Sequence, residues 1–196
     1  MIITNADIVS RLKLLADEHV KADSGSTTTA LNSALANGSD YTNNLICFIS
    51  GANVGVDRVI TSYVVGTGAF TFDVLDTAIT NIDEFCVVPK GFLSDVAQAT
   101  SIVTNDMRNR GYDVSLFLTF QTQLKELYIY KTIELVCGGL MNDGQDQDVY
   151  FVNYNRFKAL YELESSTLIA DYDANEDGTI DANEVDANVG QVGFAR

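Results

Sequence analysis

The sequence predicts an α+β fold, in which a small antiparallel β-sheet or barrel is inserted into a helical bundle framework and an acidic loop follows at the C-terminus. Apolar residues recur at helical spacing near the N-terminus and again after residue 91. Residues 45–88 instead alternate with period two in short apolar runs, and glycine-containing turns separate these runs. A chain of 196 residues is expected to form one domain, or one domain with an insertion.

Four segments follow from these patterns. Residues 1–22 carry the N-terminal helix of the helical framework, and residues 23–90 form the β-rich insertion. Residues 91–170 form the rest of the framework, and residues 171–196 form an acidic C-terminal segment. The strand-rich part is too short, and too closely bracketed by helices, for a separate domain, so an insertion fits better.

The first helix is predicted from a capping box. Thr4 and Asp7 have the spacing at which each side chain can bond the backbone N–H of the other residue. Apolar residues and the chain's one histidine then follow on a single helical face: Ile8, Leu12, Leu15 and His19. The polar stretch at 21–41 is predicted to be a flexible loop, in which STTT favours an extended conformation and ALNSAL could make one helical turn.

Four strands are predicted between Leu45 and Val88. Their sequences are LICFI, RVITSYV, AFTFDV and EFCVV, and the turns between them are GANVG, GTG and TNID. Together they make a small antiparallel sheet or barrel.

Helices resume at Phe92. Ser94 can cap a helix that stops at Gly111, and a longer helix is predicted from near Asp113 towards Cys137, where two glycines interrupt it. The longer helix carries two apolar stripes: Leu116, Phe120, Leu124 and Leu127 form one, and Ile129, Ile133, Val136 and Leu140 form the other. A helix that is apolar on two sides must be buried on two sides, either by its own chain alone or partly by a neighbouring subunit.

The next apolar stretch, VYFVNY, is compatible with a strand or a helix. Four residues after it then define a last helix: Phe157, Leu160, Tyr161 and Leu168.

The charge of the chain restricts its partners. The formal net charge is −15, and seven acidic residues but no basic ones lie between Asp171 and Asp186. An acidic surface argues against binding to phosphate backbones, because that affinity depends on Lys and Arg. It suits a surface past which nucleic acid slides without binding. The N-terminus lacks the pattern of a signal peptide, and no apolar run is long enough to cross a membrane, so no membrane partner is expected.

Residues for catalysis are sparse, so we expect no enzyme. His19 continues the apolar face of the first helix, and no nucleophile motif surrounds a serine or cysteine. Cys47, Cys86 and Cys137 lie among apolar neighbours and are predicted to be buried free thiols of a protein made in a reducing compartment. A bond between Cys47 and Cys86 is the alternative if neighbouring strands bring them together.

The stretch DANEDGTIDANE, at 173–184, resembles an EF-hand calcium loop. Such a loop has oxygen ligands at positions 1, 3, 5, 7, 9 and 12 and a glycine at position 6. The ligand positions are held by Asp173, Asn175, Asp177, Thr179, Asp181 and Glu184. Gly178 stands at the bend, where a positive φ is needed. One loop without a second copy, followed by at most two helical turns, indicates a structural Ca²⁺ clip and not a calcium sensor. An acidic surface loop that binds no ion is the alternative.

Two longer stretches resemble proteins of tailed bacteriophages. The first, FISGANVGVDRVITSYVVGTGAFTFDVLDTAITNIDEFCVV, is similar to the β-rich insertion of virion proteins. Its landmarks are Ser50, Gly51, Arg58, Ile60, Gly68, Phe70, Asp83 and Phe85. Ile82 departs from the pattern, because glycine is expected before the aspartate.

The second resemblance joins NDMRNRGYDVSLFLTFQTQLKELYIYKTIELVCGGL to FKALYELESSTLIADYDANEDGTID. These segments resemble the helical part of phage neck head-to-tail adaptor (connector) proteins, in which a helix ends in an Arg-Gly pair and a long central helix follows. The first resemblance extends back to STTTALNSAL, and together the two cover about two thirds of the chain.

The resemblance implies a homo-oligomeric ring in the neck of a virion, made in the cytoplasm of the host bacterium. Such a ring contacts the portal protein and tail or neck proteins, and DNA passes through it without specific binding. Another virion role, in head completion or decoration, is the nearest alternative. A non-viral calcium-dependent protein-binding module is the alternative from a different class.

Overall fold

The computed structural model describes residues 3–16, 18–23, 26–33, 40–89, 91–117, 124–142, 147–170, 172–174, 176, 178–179 and 187–188. The fold is α+β, as the sequence predicts. The chain divides into two compact units, Ile3–Gly91 and Phe92–Arg196. The first helix clusters with the strands, whereas the sequence pattern grouped it with the later helices.

The first helix, α1, spans Asn5–Arg11 and begins at the predicted capping box. Thr4 Oγ accepts from the Asp7 N–H at 3.2 Å, and an Asp7 carboxylate oxygen accepts from the Thr4 N–H at 2.9 Å. The helix is shorter than predicted, because a 3₁₀ turn at Lys13–Leu15 follows it. The prediction that His19 extends this helix is therefore wrong.

In the described part of the first unit, six strands form one antiparallel sheet. The strands are β1 (Glu18–Lys21), β2 (Ala30–Asn32), β3 (Leu45–Phe48), β4 (Asp57–Val64), β5 (Ala69–Phe72) and β6 (Glu84–Val88). Their order is β1-β6-β3-β4-β5-β2, and the sheet curves into a half-barrel. Strands β3 to β6 are the four that the sequence predicts. Strands β1 and β2 fall where it predicts helix and loop, because pairing with distant strands overrides local preference there.

The two edge strands of the sheet approach each other. A single antiparallel bridge joins Ala22, directly after β1, to Ser33, directly after β2. The Ser33 hydroxyl also donates to the Gly68 carbonyl at 2.9 Å. The half-barrel encloses a core rich in aromatic side chains, in which the rings of Tyr63 and Phe70 lie 4.7 Å apart and those of Phe70 and Phe85 lie 5.7 Å apart.

Among the residues that the structure describes, the second unit contains three α-helices and one pair of two-residue strands. The helices are α2 (Leu93–Asn109), α3 (Lys125–Asn142) and α4 (Gln147–Thr167), with a 3₁₀ turn at Val114–Leu116. Helix α3 packs against both α2 and α4. Two residue pairs, β7 (Ile169–Ala170) and β8 (Ala187–Asn188), form an antiparallel ladder. The ambiguous stretch VYFVNY is helical, within α4.

The ends of α2 differ in how well the sequence predicts them. Phe92, and not Ser94, is the N-cap residue, and no side chain caps this end. The C-terminal end is as predicted: Gly111 has φ +90°, its N–H bonds the Arg108 carbonyl, and the N–H of Tyr112 bonds the Met107 carbonyl. This pair of bonds is a Schellman motif, in which glycine is favoured at the left-handed position.

The long helix differs from its prediction. Helix α3 spans Lys125–Asn142, so the predicted start near Asp113 is wrong, because a 3₁₀ turn and an extended Phe117 lie there. The helix continues through Gly138 and Gly139, so the predicted interruption by these glycines is also wrong. Leu127, Ile133 and Val136 of the two apolar stripes are buried. Packing of α3 against α2 and α4 stabilises the helix enough to offset the helix-weakening effect of two glycines. Phe120 lies outside the described residues. Within the described part of the chain, no helix is sufficiently long and apolar for a membrane span.

Candidate metal centre

The acidic loop at 173–184 is the strongest candidate site in the sequence, and its two flanks are held together by backbone pairing. Ile169 faces Asn188 and Ala170 faces Ala187 in the β7–β8 ladder. The segment between these strands therefore starts and ends at neighbouring points. A closed segment of this kind restricts the positions that its ligands can take, which lowers the entropy cost of gathering them around one ion.

The first predicted ligand, Asp173, is anchored and buried. Its backbone N–H bonds the Leu116 carbonyl at 3.0 Å, and the residue is 2% exposed. One carboxylate oxygen, Oδ2, accepts from the Gly178 N–H at 2.8 Å. A buried carboxylate needs partners that offset its lost hydration, and a backbone N–H supplies one.

The turn of the loop has the backbone that the sequence predicts. Gly178 has φ +84°, in the region that only glycine adopts easily. Glu176 also has a positive φ, +61°, which is uncommon for a residue with a side chain. Two left-handed residues close together bend the chain sharply. Backbone strain of this kind persists only where the surrounding structure holds it in place.

Three aromatic rings fix the entry to the loop. The Tyr172 ring lies 5.0 Å from the Tyr112 ring and 5.1 Å from the Phe117 ring. The Tyr172 hydroxyl accepts from the Asp113 N–H at 3.2 Å. The turn after α2 therefore positions the residue directly before Asp173. Sequence reasoning missed this support, since no local pattern indicates which distant turn a tyrosine will contact.

The described residues include two of the six predicted ligands, Asp173 and Thr179, of which Thr179 is exposed. The other four lie outside the described residues: Asn175, Asp177, Asp181 and Glu184. Among the side chains that the structure describes, no cluster of three or more His, Cys, Asp or Glu has metal-binding geometry. The fit to calcium therefore rests on the buried Asp173 carboxylate and on the bend at Gly178. An oxygen-rich donor set of this kind is the chemistry that Ca²⁺ prefers.

The three cysteines are buried free thiols. Cys47 of β3 faces Cys86 of β6, so neighbouring strands do bring them together, yet all three cysteines are free and buried. Contact with the Cys86 side chain, and then burial, raise the pKa of the Cys47 thiol, and burial raises the pKa of Cys137 to about 11. Thiols with raised pKa values are poor nucleophiles at neutral pH.

A buried carboxylate lies beside this thiol pair. Asp57 of β4 faces Cys47, and its Oδ2 accepts from Asn5 Nδ2 at 2.6 Å. Its Oδ1 is buried without a hydrogen-bond partner among the described atoms. Burial raises the pKa of Asp57 above its ordinary value, against the lowering effect of Asn5. His19 faces Cys86 from β1, on the other side of the thiol pair.

Comparison with protein-family models, with curated proteins and with solved structures found no match for this chain.

Proposed function

We propose that the protein is a structural component of a tailed-bacteriophage particle, a head-to-tail adaptor whose identical subunits form a ring between the portal and the tail. In this proposal the helices of the second unit belong to a helical bundle framework, and the half-barrel is its β-rich insertion. The loop at 173–184 is an EF-hand-like clip that holds a structural Ca²⁺. The protein performs no catalysis, and DNA passes through the ring without specific binding.

Exposed apolar side chains at the start of α4 carry this proposal. Val149, Phe151 and Val152 lie within about one helical turn and are 38%, 58% and 63% exposed. Large apolar groups that cluster on a surface are typical of a site that another protein covers. A subunit of a ring needs such a surface. This observation favours an assembly protein over an isolated binding module.

A second group of exposed apolar side chains lies on the half-barrel. It consists of Val54, Val74 and Ile82. These residues lie on loops that are joined by hydrogen bonds. The Asn53 side chain donates to the Thr77 carbonyl at 3.1 Å, and the Ser50 hydroxyl contacts the Ile82 carbonyl at 3.5 Å. Two apolar surfaces on two separate units suit a protein that joins neighbours.

Three landmarks of the phage resemblance, Ser50, Gly51 and Asp83, lie close together in the half-barrel. Ser50 Oγ accepts from the Glu84 N–H at 2.8 Å, which links the end of β3 to the start of β6. The Asp83 carboxylate occupies the space beside Gly51 where a Cβ atom would lie. The Ser-Gly and Asp-x-Phe patterns therefore form the same contact between the end of β3 and the start of β6. This shared contact supports the proposal that the two patterns belong to one fold.

Labelling of particles tests the location. Antibodies raised against the protein and carried on gold would be imaged on phage particles of the source that encodes it. Label at the head–tail junction supports the adaptor. Label over the capsid or the tail tip assigns the protein to another virion role, and particles without label reject the phage proposal.

Substitution in the apolar cluster of α4 tests assembly. We expect Phe151→Asp to prevent incorporation into particles, because a carboxylate would be buried at the contact without a partner. The thermal unfolding temperature of the free chain should change little, since Phe151 is exposed. Asp148→Asn, an exposed change on the same helix, is the matched control. Normal incorporation of Phe151→Asp would reject this surface as a subunit contact.

Calcium dependence separates the adaptor from a calcium-dependent binding module. We expect Ca²⁺ to raise the unfolding temperature of the wild-type protein by mass action on the folded state. Glu184→Gln should remove most of that shift, because it removes the carboxylate predicted to bind with both oxygens. Incorporation into particles should largely survive this substitution and the addition of chelator. Loss of all partner binding under both conditions would favour the binding module.

A further inference from the structure

The turn that follows α2 contacts the start of the acidic loop. This segment, residues 112–117, contains the 3₁₀ turn at Val114–Leu116 and is called the docking turn below. It is far from the loop in sequence, since Asp113 and Tyr172 are 59 positions apart. Any influence of the docking turn on the loop therefore depends on contacts made in the folded chain.

Hydrogen bonds within the segment hold the docking turn in shape. The Tyr112 N–H donates to the Met107 carbonyl at 3.0 Å, where α2 ends. Asp113 Oδ1 accepts from the N–H and from the hydroxyl of Ser115, at 2.9 and 2.7 Å. These two bonds lower the pKa of Asp113, so its carboxylate stays ionised and continues to accept both. The docking turn is therefore shaped by its own residues and not by the loop.

Two hydrogen bonds join the docking turn to the loop. The Leu116 carbonyl accepts from the Asp173 N–H at 3.0 Å. The Asp113 N–H donates to the Tyr172 hydroxyl at 3.2 Å. Both bonds use backbone groups of the docking turn, so both depend on its conformation. The first of them fixes the backbone of the first predicted calcium ligand.

Aromatic rings form the apolar part of the same contact. The Tyr172 ring is perpendicular to the Tyr112 ring, at 90°, and lies at 63° to the ring of Phe117, which is 2% exposed. Edge-to-face pairs of this kind stabilise a contact beyond the area that they bury. Tyr172 is therefore contacted by two rings, and the residue after it has little freedom to move.

Asp173 connects this contact to the bend of the loop. Its Oδ2 accepts from the Gly178 N–H at 2.8 Å, and the residue is 2% exposed. The contacts are thus continuous from the docking turn through Tyr172 and Asp173 to Gly178. An ion held by the loop requires the first ligand and the bend to keep fixed positions, and these contacts hold both.

We propose that the docking turn positions the calcium loop, so that Ca²⁺ binding at 173–184 is thermodynamically coupled to the order of residues 112–117. The inference rests on the proposed calcium clip and assigns its anchor to the same subunit. Tyr112 and Tyr172 are positioning residues, since neither is among the six predicted ligands. Coupling of this kind is reciprocal: whatever the docking turn adds to the affinity for the ion, the ion adds to the stability of the docking turn.

A loop whose affinity is set by its ligands alone makes a different prediction. In that case the β7–β8 ladder would be sufficient to close the segment, and the aromatic contact would only stabilise the second unit. Changes at Tyr112 would then leave the affinity for calcium unaltered, because Tyr112 reaches the loop through the Tyr172 ring.

Titration calorimetry of the full free chain with calcium chloride separates these cases. We expect Tyr112→Leu, which removes one ring contact and no ligand, to weaken calcium binding about threefold. Tyr172→Leu should weaken it about tenfold, because it removes two ring contacts and one hydrogen bond. Phe157→Leu is the matched control, since its ring instead lies 6.0 Å from the Tyr130 ring, between α3 and α4. It should leave the affinity unchanged.

Hydrogen exchange gives the reciprocal readout. Calcium should slow exchange of the Asp113 and Asp173 N–H groups in the wild-type chain, because their acceptors belong to the coupled contact. The slowing at Asp113 should be smaller in Tyr112→Leu. An effect on stability alone would not make exchange at Asp113 depend on calcium.

The outcomes distinguish the coupling from the clip itself. If the wild-type chain binds calcium and all variants bind it equally well, the clip stands and the coupling is overturned. Equal weakening in Tyr112→Leu and Phe157→Leu also overturns the coupling, since it would reflect a general loss of stability. Exchange at Asp113 that does not respond to calcium has the same consequence. No calcium binding by the wild-type chain rejects the clip and the coupling together.

Discussion

One glycine in each unit, Gly51 and Gly139, shows opposite roles of this residue. In the half-barrel, Gly51 has φ +80°, and the buried Asp83 carboxylate occupies the place of its absent side chain. In the helical unit, Gly139 lies within α3 and a Cβ atom there would meet no atom within 4 Å. The fold requires glycine at position 51, whereas glycine at position 139 only lowers the stability of the helix slightly.

The comparison shows which interactions stabilise each unit. In the half-barrel, side chains of one loop pack directly against the backbone of another loop. At such a contact, as at Gly51, only glycine fits. The Asp83 carboxylate, for example, also accepts from the Thr80 N–H at 2.8 Å. The helices are stabilised by packing of broad apolar faces, as at Ile133 and Phe157, and single positions matter less there.

The largest effect is expected at Gly51. Replacement by alanine should lower the free energy of unfolding by about 3 kcal/mol or more, because a methyl group would overlap Asp83 and the backbone would be strained. Gly66→Ala is the control, since Gly66 has φ +92° but open space around it. It should cost only about 1–2 kcal/mol, from backbone strain alone. Equal losses in urea denaturation would contradict the role given to Asp83.

A smaller effect of opposite sign is expected at Gly139. Replacement by alanine should raise the free energy of unfolding by about 0.5–1 kcal/mol, since alanine loses less backbone entropy in a helix. Gly138→Ala should also be tolerated, because its Cβ would lie at an ordinary contact distance of 3.5 Å from the Tyr154 ring. Destabilisation by Gly139→Ala in the same denaturation experiment would mean that these glycines are as restricted as Gly51.

The smallest effect concerns pH. The pKa of Asp57 is raised in the folded protein, so folding favours its protonated form. The stability that this provides is present below the unfolded pKa of about 3.9 and is lost as pH rises through the folded pKa. Asp57→Asn should therefore gain stability relative to wild type at pH 7, and the gain should shrink at pH 4. A pH-independent difference between the two unfolding free energies would contradict this assignment.

Local patterns predict the parts of the fold that depend on near neighbours. The capping box at Thr4 and Asp7, the glycine stop at Gly111 and strands β3 to β6 all have sequence signals within a few residues. The spacing of His19 from Leu15 predicts a helix, yet His19 lies in strand β1. Its actual partner, Cys86, is distant in sequence, and such pairings leave no local signal.

The same limit applies to the sites. The left-handed turn at Gly178 could be predicted from the spacing of the acidic residues around it. The bond from Asp173 to Leu116 and the packing of Tyr172 could not, because they join segments far apart in the chain.

The bridge between Ala22 and Ser33 affects how the protein behaves when it is crowded. An open sheet ends in strands whose unpaired N–H and C=O groups can recruit a strand from another molecule, which leads to aggregation. Here the two terminal strands have only four and three residues, and the bridge occupies backbone groups beside both of them. The half-barrel therefore offers little template for strand exchange, so many copies can be held side by side at high local concentration without merging their sheets.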